Sequence, residues 1–257
     1  MELFGYSIWM VALICVGVFA AGFVDAIGGG GGIISLPIYL FAGLPAHNAL
    51  GTNKMSSCIG TVASTVRYIK NGFVKWELAV VSIVCALVGA HFGTRLQLMV
   101  PEKYLQYMLL AVLPVVAFVL LRQRTLPETE RSMAPWKRRS IVWGASLLIG
   151  IYDGFYGPGT GTFLLLVFCV LGKMDLRSAS GNVKLVNLSS NVGALVTSLT
   201  AGKVLVPIGL LAAVFSMAGQ YLGAGLTIKN GAKIVRPVII TVLILLIAKV
   251  IIELVAQ

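Results

Sequence analysis

Apolar runs of about twenty residues recur along the whole chain, and only a bilayer can solvate a protein built that way. They fall near residues 6–27, 48–69, 77–96, 104–121, 140–155, 178–200, 204–226 and 235–255. A helix of about 20 residues crosses the roughly 30 Å of bilayer hydrocarbon. Charged residues make up only 11% of the 257 and hydrophobic ones 58%, whereas a soluble domain carries about 25% charge. No compact soluble fold of this size hides so much apolar surface. The chain therefore reads as an all-α polytopic membrane protein. Its first run, Leu3 to Ala21, lacks a basic leader and is followed by further spans, so it reads as a retained helix and not a signal peptide. Cys15, Cys58, Cys85 and Cys169 lie within apolar sequence without metal-like spacing and read as buried thiols.

Twenty basic residues against nine acidic ones give a net charge of +11. No basic stripe or aromatic platform accompanies that charge, which excludes a nucleic-acid partner. It sits instead in the short gaps between apolar runs, where it reports sidedness. Two shorter apolar pieces, 33–43 and 162–172, each follow a glycine-rich break and decide the topology. If both cross, each half makes five crossings from an outer N-terminus, with fourteen Lys and Arg inside and four outside (Arg95, Lys103, Lys203, Lys249). If neither crosses, the split is eleven to seven. The positive-inside rule favours the odd count. Either way the polar, basic stretch 122–139, with Pro127 and Pro135, is cytoplasmic. The expected organisation is a first transmembrane repeat over 1–121, a cytoplasmic linker over 122–139 and a second repeat over 140–257, in the inner membrane.

A shift of 130 residues superimposes the rarer landmarks. Gly29 falls on Gly159, Gly31 on Gly161, Ala49 on Ala179, Gly51 on Gly181 and Lys54 on Lys184. Further on, Gly72 meets Gly202, Gly89 meets Gly219, Gly93 meets Gly223 and Lys103 meets Lys233. An ordered run of glycines around an intramembrane lysine argues for duplication. With an odd number of crossings per half, the copies are inverted repeats, the plan of many secondary transporters.

Three pairs of features could carry chemistry. Gly28 to Gly32 are consecutive glycines, answered by Gly157-Pro158-Gly159-Thr160-Gly161. Each glycine costs a helix about 1 kcal/mol relative to alanine, so both runs read as breaks. Freed backbone groups at membrane depth must face protein or a wet cavity. Gly29, Gly30, Gly31, Gly159, Thr160 and Gly161 are thus candidates to offer N–H groups to an anion; close helix packing is the other reading. Lys54 and Lys184 lie within predicted spans, each leading a polar stripe: Ser57 and Thr61 after Lys54, Asn187 and Asn191 after Lys184. An ammonium at that depth must be paired or wet, or else snorkel to the interface. Thr52, Asn53 and Asn182 stand beside the lysines as hydrogen-bond donors. Asp25 and Asp153 precede the breaks by three and four residues and read as proton relays, lysine partners or helix caps.

The remaining residues read more plainly. His91 is a packed or interfacial histidine and His47 belongs to a loop before the Lys54 helix. Lys249 and Glu253 form a local pair. Trp76, Trp136 and Trp143 anchor helix ends at the interface. Two histidines with remote carboxylates build no catalytic zinc site, and no serine elbow or P-loop is present, so an enzyme, a cofactor and an ATP motor are not expected.

The run Ala21-Gly22-Phe23-Val24-Asp25-Ala26-Ile27 into the five glycines, then Leu36-Pro37, Gly43-Leu44-Pro45 and Ala49 to Lys54, resembles the sulfite exporter TauE/SafE family. So does Asp153 to Phe163 with Ala179 to Lys184 and Asn187. The resemblance implies an inner-membrane secondary transporter for small sulfur-containing anions such as sulfite, sulfonates or sulfoacetate. It also implies eight helices by duplication of a four-helix unit, against the ten favoured by the charge count. The expectation is a fold of two homologous halves with eight to ten membrane segments, moving an anion by alternating access. Protons or another ion, through Asp25 or Asp153, would drive it. A passive small-anion channel is the alternative.

Overall fold

The computed structural model describes residues 2–3, 5–105, 129–230, 234 and 237. The expected spans 104–121 and 235–255 lie almost wholly outside these residues, as do Lys233, the Lys249–Glu253 pair and linker residues 122–128. A two-residue ladder, β1 (Glu2–Leu3) with β2 (Tyr6–Ser7), opens the chain. In the first half follow α1 (Ile8–Gly28), α2 (Gly32–Phe41), α3 (Ala46–Lys70) and α4 (Trp76–Met99). The second half repeats the order with α5 (Pro135–Phe155), α6 (Thr160–Leu166, prolonged by a π-helical turn Val167–Leu171), α7 (Leu176–Thr200) and α8 (Val206–Asn230).

Local chemistry explains the boundaries. Pro135 starts α5 because a first-turn residue needs no N–H partner, so the last five residues of the expected linker are helical. Asp175 caps α7 by accepting the Ser178 N–H at 3.0 Å. Among the described helices, α1, α4 and α8 are long and apolar enough to cross a membrane. The equally long α3 and α7 are not, because they carry Thr52, Asn53, Lys54, Ser56 and Thr61, or Asn182, Lys184, Asn187, Ser190 and Asn191, all buried. Polarity faces inward and apolar side chains outward: Val80, Val84, Phe92, Val214, Met217 and Leu222 are exposed on α4 and α8. This inversion suits a hydrocarbon solvent.

Close contacts set the helix directions. On α8, Gly209 meets Met55, Ser216 meets Gly60, and Gly225 meets Arg67, so α3 and α8 run parallel. Ser216 also meets Gly22 and Gly223 meets Phe23, so α1 is parallel to both. In the other half Ala86 meets Gly150 and Ala90 meets Gly154, while Leu87 meets Gly193 and His91 bonds Thr197, which makes α4, α5 and α7 parallel. Between the sets, Gly51 approaches Ser198, Lys54 approaches Asn191, and Thr65 donates to the Lys184 carbonyl; α3 and α7 are antiparallel. Two bundles result, α1–α3 with α8 and α5–α7 with α4, each taking its last helix from the other half.

Since α1 and α3 run the same way, α2 must bring the chain back. Ile38 packs on Gly17 while Gly31 packs on Ala21, so α2 is indeed antiparallel to α1. One end of the molecule gathers Arg67, Lys70, Lys75, Arg131, Lys137, Arg138, Arg139, Lys173, Arg177 and Lys229. Glu130, held by Lys75 and Arg138, ties part of this belt together, and Arg139 reaches Glu77 at 3.3 Å. Arg95, Lys103 and Lys203 mark the opposite end.

Several expectations are corrected. The 130-residue shift holds for α3, α4, α7 and α8, but α1 and α5 superimpose at 128. Gly22 meets Ser216 where Gly150 meets Ala86, and the two extra residues fall within α6, which with its π-helical turn runs Thr160–Leu171 against Gly32–Phe41 for α2. His47 lies in the first turn of α3 and is buried, its Nδ1 2.5 Å from Gln97 Nε2. Trp143 sits two turns inside α5, half-buried, donating to the Leu78 carbonyl at 3.2 Å instead of anchoring an interface. Cys15 and Cys169 are buried, but Cys58 and Cys85 are only half-buried.

Candidate functional site

The breaks form because glycine alone tolerates the backbone there. Gly29 and Gly30 adopt φ of 77° and 89°, and Gly157 and Gly159 adopt 96° and 83°. Freed carbonyls find protein donors: Thr162 Oγ1 gives to Gly28 at 2.8 Å, Tyr152 Oη to Pro158 at 2.6 Å and Thr160 Oγ1 to Gly157 at 2.7 Å. The breaks also touch one another. A Cβ on Gly29 would lie 2.3 Å from the Thr162 nitrogen, and one on Gly161 would lie 2.8 Å from Gly29 Cα. Gly159 flanks Gly30 in the same clasp.

Beside the clasp, both lysines are buried, with Lys54 4% and Lys184 2% exposed. Neither snorkels. Each takes the carboxylate of the opposite half: Lys54 Nζ stands 2.8 Å from Asp153 Oδ2, and Lys184 Nζ stands 2.9 Å from Asp25 Oδ2. Lys54 also donates to Asn191 Oδ1 at 3.2 Å, and Lys184 to the Asp25 carbonyl. Asp25 further accepts from Gln220 Nε2 at 2.7 Å and from the Gly31 N–H at 3.2 Å. Asp153 Oδ2 has the lysine's charge but no aligned hydrogen bond. Two ammonium groups and two carboxylates thus leave the dry interior neutral, as burial demands, and both pairs bridge the two bundles.

A cavity of about 20 Å³ lies between them, room for a single water. Asp25, Asn53, Lys54, Ser57, Asp153, Thr160 and Asn187 line it, together with Gly30 and Gly161. A smaller void of about 10 Å³ adjoins Gly31 and Asn53. Two sequence candidates point elsewhere: Thr52 Oγ1 accepts the Leu205 N–H at 3.0 Å, and Asn182 Nδ2 donates to the Ser178 carbonyl at 2.8 Å. Sequence reasoning missed Ser35, which donates to Asn53 Oδ1 at 2.6 Å, and Gln220. An amide at Gln220, in the middle of a mostly apolar span, is the available signal.

A helical bundle for hydrocarbon surroundings, with a charge-balanced polar site where two bundles meet, is the build of a membrane transporter. The chain belongs to the sulfite exporter TauE/SafE family, whose pattern it matches over residues 13–250. It is 34% identical to the probable membrane transporter protein ORF9 of a Sinorhizobium species, across 92% of this chain and 90% of that one. It is 32% identical to the probable membrane transporter protein YfcA of Escherichia coli K12, across 97% and 94%. A probable membrane transporter protein of Haemophilus influenzae is 29% identical across 93% of each chain. No solved structure matches. The chain is a membrane transporter and not an enzyme.

Proposed function

We propose that the protein carries a small sulfur-containing anion, sulfite or a sulfonate such as sulfoacetate, across the inner membrane by alternating access coupled to an ion gradient. The observation that carries this reading is the crossed pairing of Lys54 with Asp153 and of Lys184 with Asp25 at the bundle interface. An ammonium whose charge is balanced by an internal carboxylate can exchange it for an external anion, and rocking the bundles stretches the same contacts. A cavity of about 20 Å³ supports a gated carrier over an open pore.

Thermal shift of the purified protein tests the anion. A ligand at a hundredfold excess over its Kd stabilises the folded state by about 2.7 kcal/mol. Sulfite or sulfoacetate is expected to raise the Tm of the wild-type protein, while Lys54→Met is expected to fold and lose the shift. No shift from any anion, or unchanged affinity in Lys54→Met, would overturn the assignment.

The same reading makes 1–121 and 140–257 inverted repeats joined by a cytoplasmic segment. The antiparallel course of α3 and α7 supports it, as do the ten described basic residues at one end against three at the other. Asn71 and Ala201 are exposed and occupy matching turns, after α3 and after α7. In a background without other cysteines, an impermeant maleimide added to right-side-out cells should label Ala201→Cys and spare Asn71→Cys. Labelling of both from one side would rule out inversion.

A further inference from the structure

The two ion pairs match in sequence but differ in surroundings. Asp25 is held by Lys184, Gln220 and the Gly31 N–H together. Gln220 has no counterpart, for Ala90 stands at the matching place on α4, pressed against Gly154. Asp153 has only the Lys54 charge on its Oδ2, without hydrogen-bond alignment. The 20 Å³ cavity is lined by both members of the Lys54–Asp153 pair, but by Asp25 alone of the other pair and not by Lys184. Its wall adds Ser57, Thr160 and Asn187, and Ser35 occupies the Asn53 Oδ1, leaving the N–H₂ as what Asn53 can offer.

We infer that Lys54 and Asp153 are the exchanging pair, that Lys184 and Asp25 are a fixed brace, and that one proton, taken up by Asp153, enters with each monovalent anion. The inference rests on the anion reading above. Its argument is charge balance. Ammonium and carboxylate together are neutral. An anion that takes Lys54 from Asp153 leaves a buried carboxylate without a partner, with two negative charges around one positive. That is among the costliest arrangements a protein interior can hold. A proton from solution on an Asp153 oxygen restores neutrality and turns the carboxylate into an O–H donor toward the anion. No other bond is made or broken. Asp25 is not released in the same step, because three donors would have to let it go.

Asp153 faces Lys54 from α3 and Asp25 from α1, the latter already paired with Lys184 from α7. From its own helix Tyr152 and Tyr156 adjoin it, while α4 brings His91, bonded to Thr197, and the exposed Arg95. Among these groups Asp153 is the carboxylate whose partner the anion removes.

The test measures proton uptake with an indicator dye, in weakly buffered detergent solution, while methanesulfonate, ethanesulfonate or isethionate is bound. Their sulfonate groups stay ionised throughout. Wild-type protein is expected to take up one proton per anion, its affinity falling about tenfold for each unit rise in pH over the range where that uptake is complete. Asp153→Asn should bind with no uptake and no pH dependence, whereas Asp153→Glu should keep both. Binding to wild type without proton uptake overturns the inference and leaves the anion reading standing. So does uptake that persists in Asp153→Asn. Failure of wild type to bind any of the three sulfonates, or sulfite, overturns both together.

Discussion

Replacing Lys184 with methionine is expected to lower the unfolding free energy by about 3–5 kcal/mol, because breaking a buried ion pair from one side strands the other charge. The stranded group is Asp25, whose Gln220 and Gly31 partners supply hydrogen bonds but no positive charge. Adding Asp25→Asn should restore most of the loss, since asparagine carries no charge, keeps an oxygen for the Gly31 N–H, and can give its N–H₂ to Gln220 Oε1 once that amide turns over. The single change Asp25→Asn should cost less than Lys184→Met. It leaves an ammonium that still reaches the Asp25 backbone carbonyl and keeps the side-chain oxygen. Chemical unfolding in a fixed detergent, followed for the four proteins of this double-mutant cycle, reads the coupling directly. If Lys184→Met and the double variant unfold at the same denaturant concentration, the charge of Asp25 was not what the lysine offset, and the brace would lose its physical basis.

The sequence shows the helices, the breaks and the identity of the buried charges, because each leaves a local mark. Twenty apolar residues, consecutive glycines and a lysine inside a span need no knowledge of the fold to be recognised. What it hides depends on direction and on neighbours far along the chain. Lys54 and Asp153 are separated by nearly the length of one repeat, so nothing local distinguishes crossed pairing from pairing within a half. The course of α2 is equally hidden: ten residues with a proline inside could cross, re-enter or lie flat. The successive contacts of α8 with Met55, Gly60 and Arg67 on α3 and with Gly22, Phe23 and Ala26 on α1 show that α1 and α3 run together and that α2 returns. The charge count had leaned the same way for an independent reason, the electrostatics of insertion. The two-residue change of register between α1 and α5 escaped because glycines recur often enough at both breaks to align at either offset. Thr52 and Asn182 were plausible ligands by proximity to the lysines, yet one accepts a loop N–H and the other donates to its own helix.

Within the five-glycine run the consequences of adding a methyl group should differ sharply, although composition makes the five look alike. Gly29→Ala places a Cβ 2.3 Å from the Thr162 nitrogen and 2.4 Å from the Gly161 carbonyl carbon, backbone atoms that cannot step aside. It does so at φ of 77°. Overpacking costs about 1–3 kcal/mol and a left-handed alanine about 1–2 more, so a loss of about 2–5 kcal/mol is expected. Gly30→Ala meets only a flexible Ile33 methyl at 3.2 Å, but at φ of 89°, and should lose about 1–2 kcal/mol from backbone strain alone. Gly32→Ala opens α2 with ordinary backbone angles and its nearest neighbour, Pro158 Cα, at a comfortable 3.4 Å. There alanine should be neutral, or stabilising by up to about 1 kcal/mol through its better helix propensity. The order of the three Tm values, Gly29→Ala lowest and Gly32→Ala highest, is the measurement. If Gly32→Ala proved as damaging as Gly29→Ala, close contact between the two breaks could not be the reason for the glycines. The run would then have to be explained by what its backbone offers to a bound anion, since Gly32 lines the cavity beside Lys54.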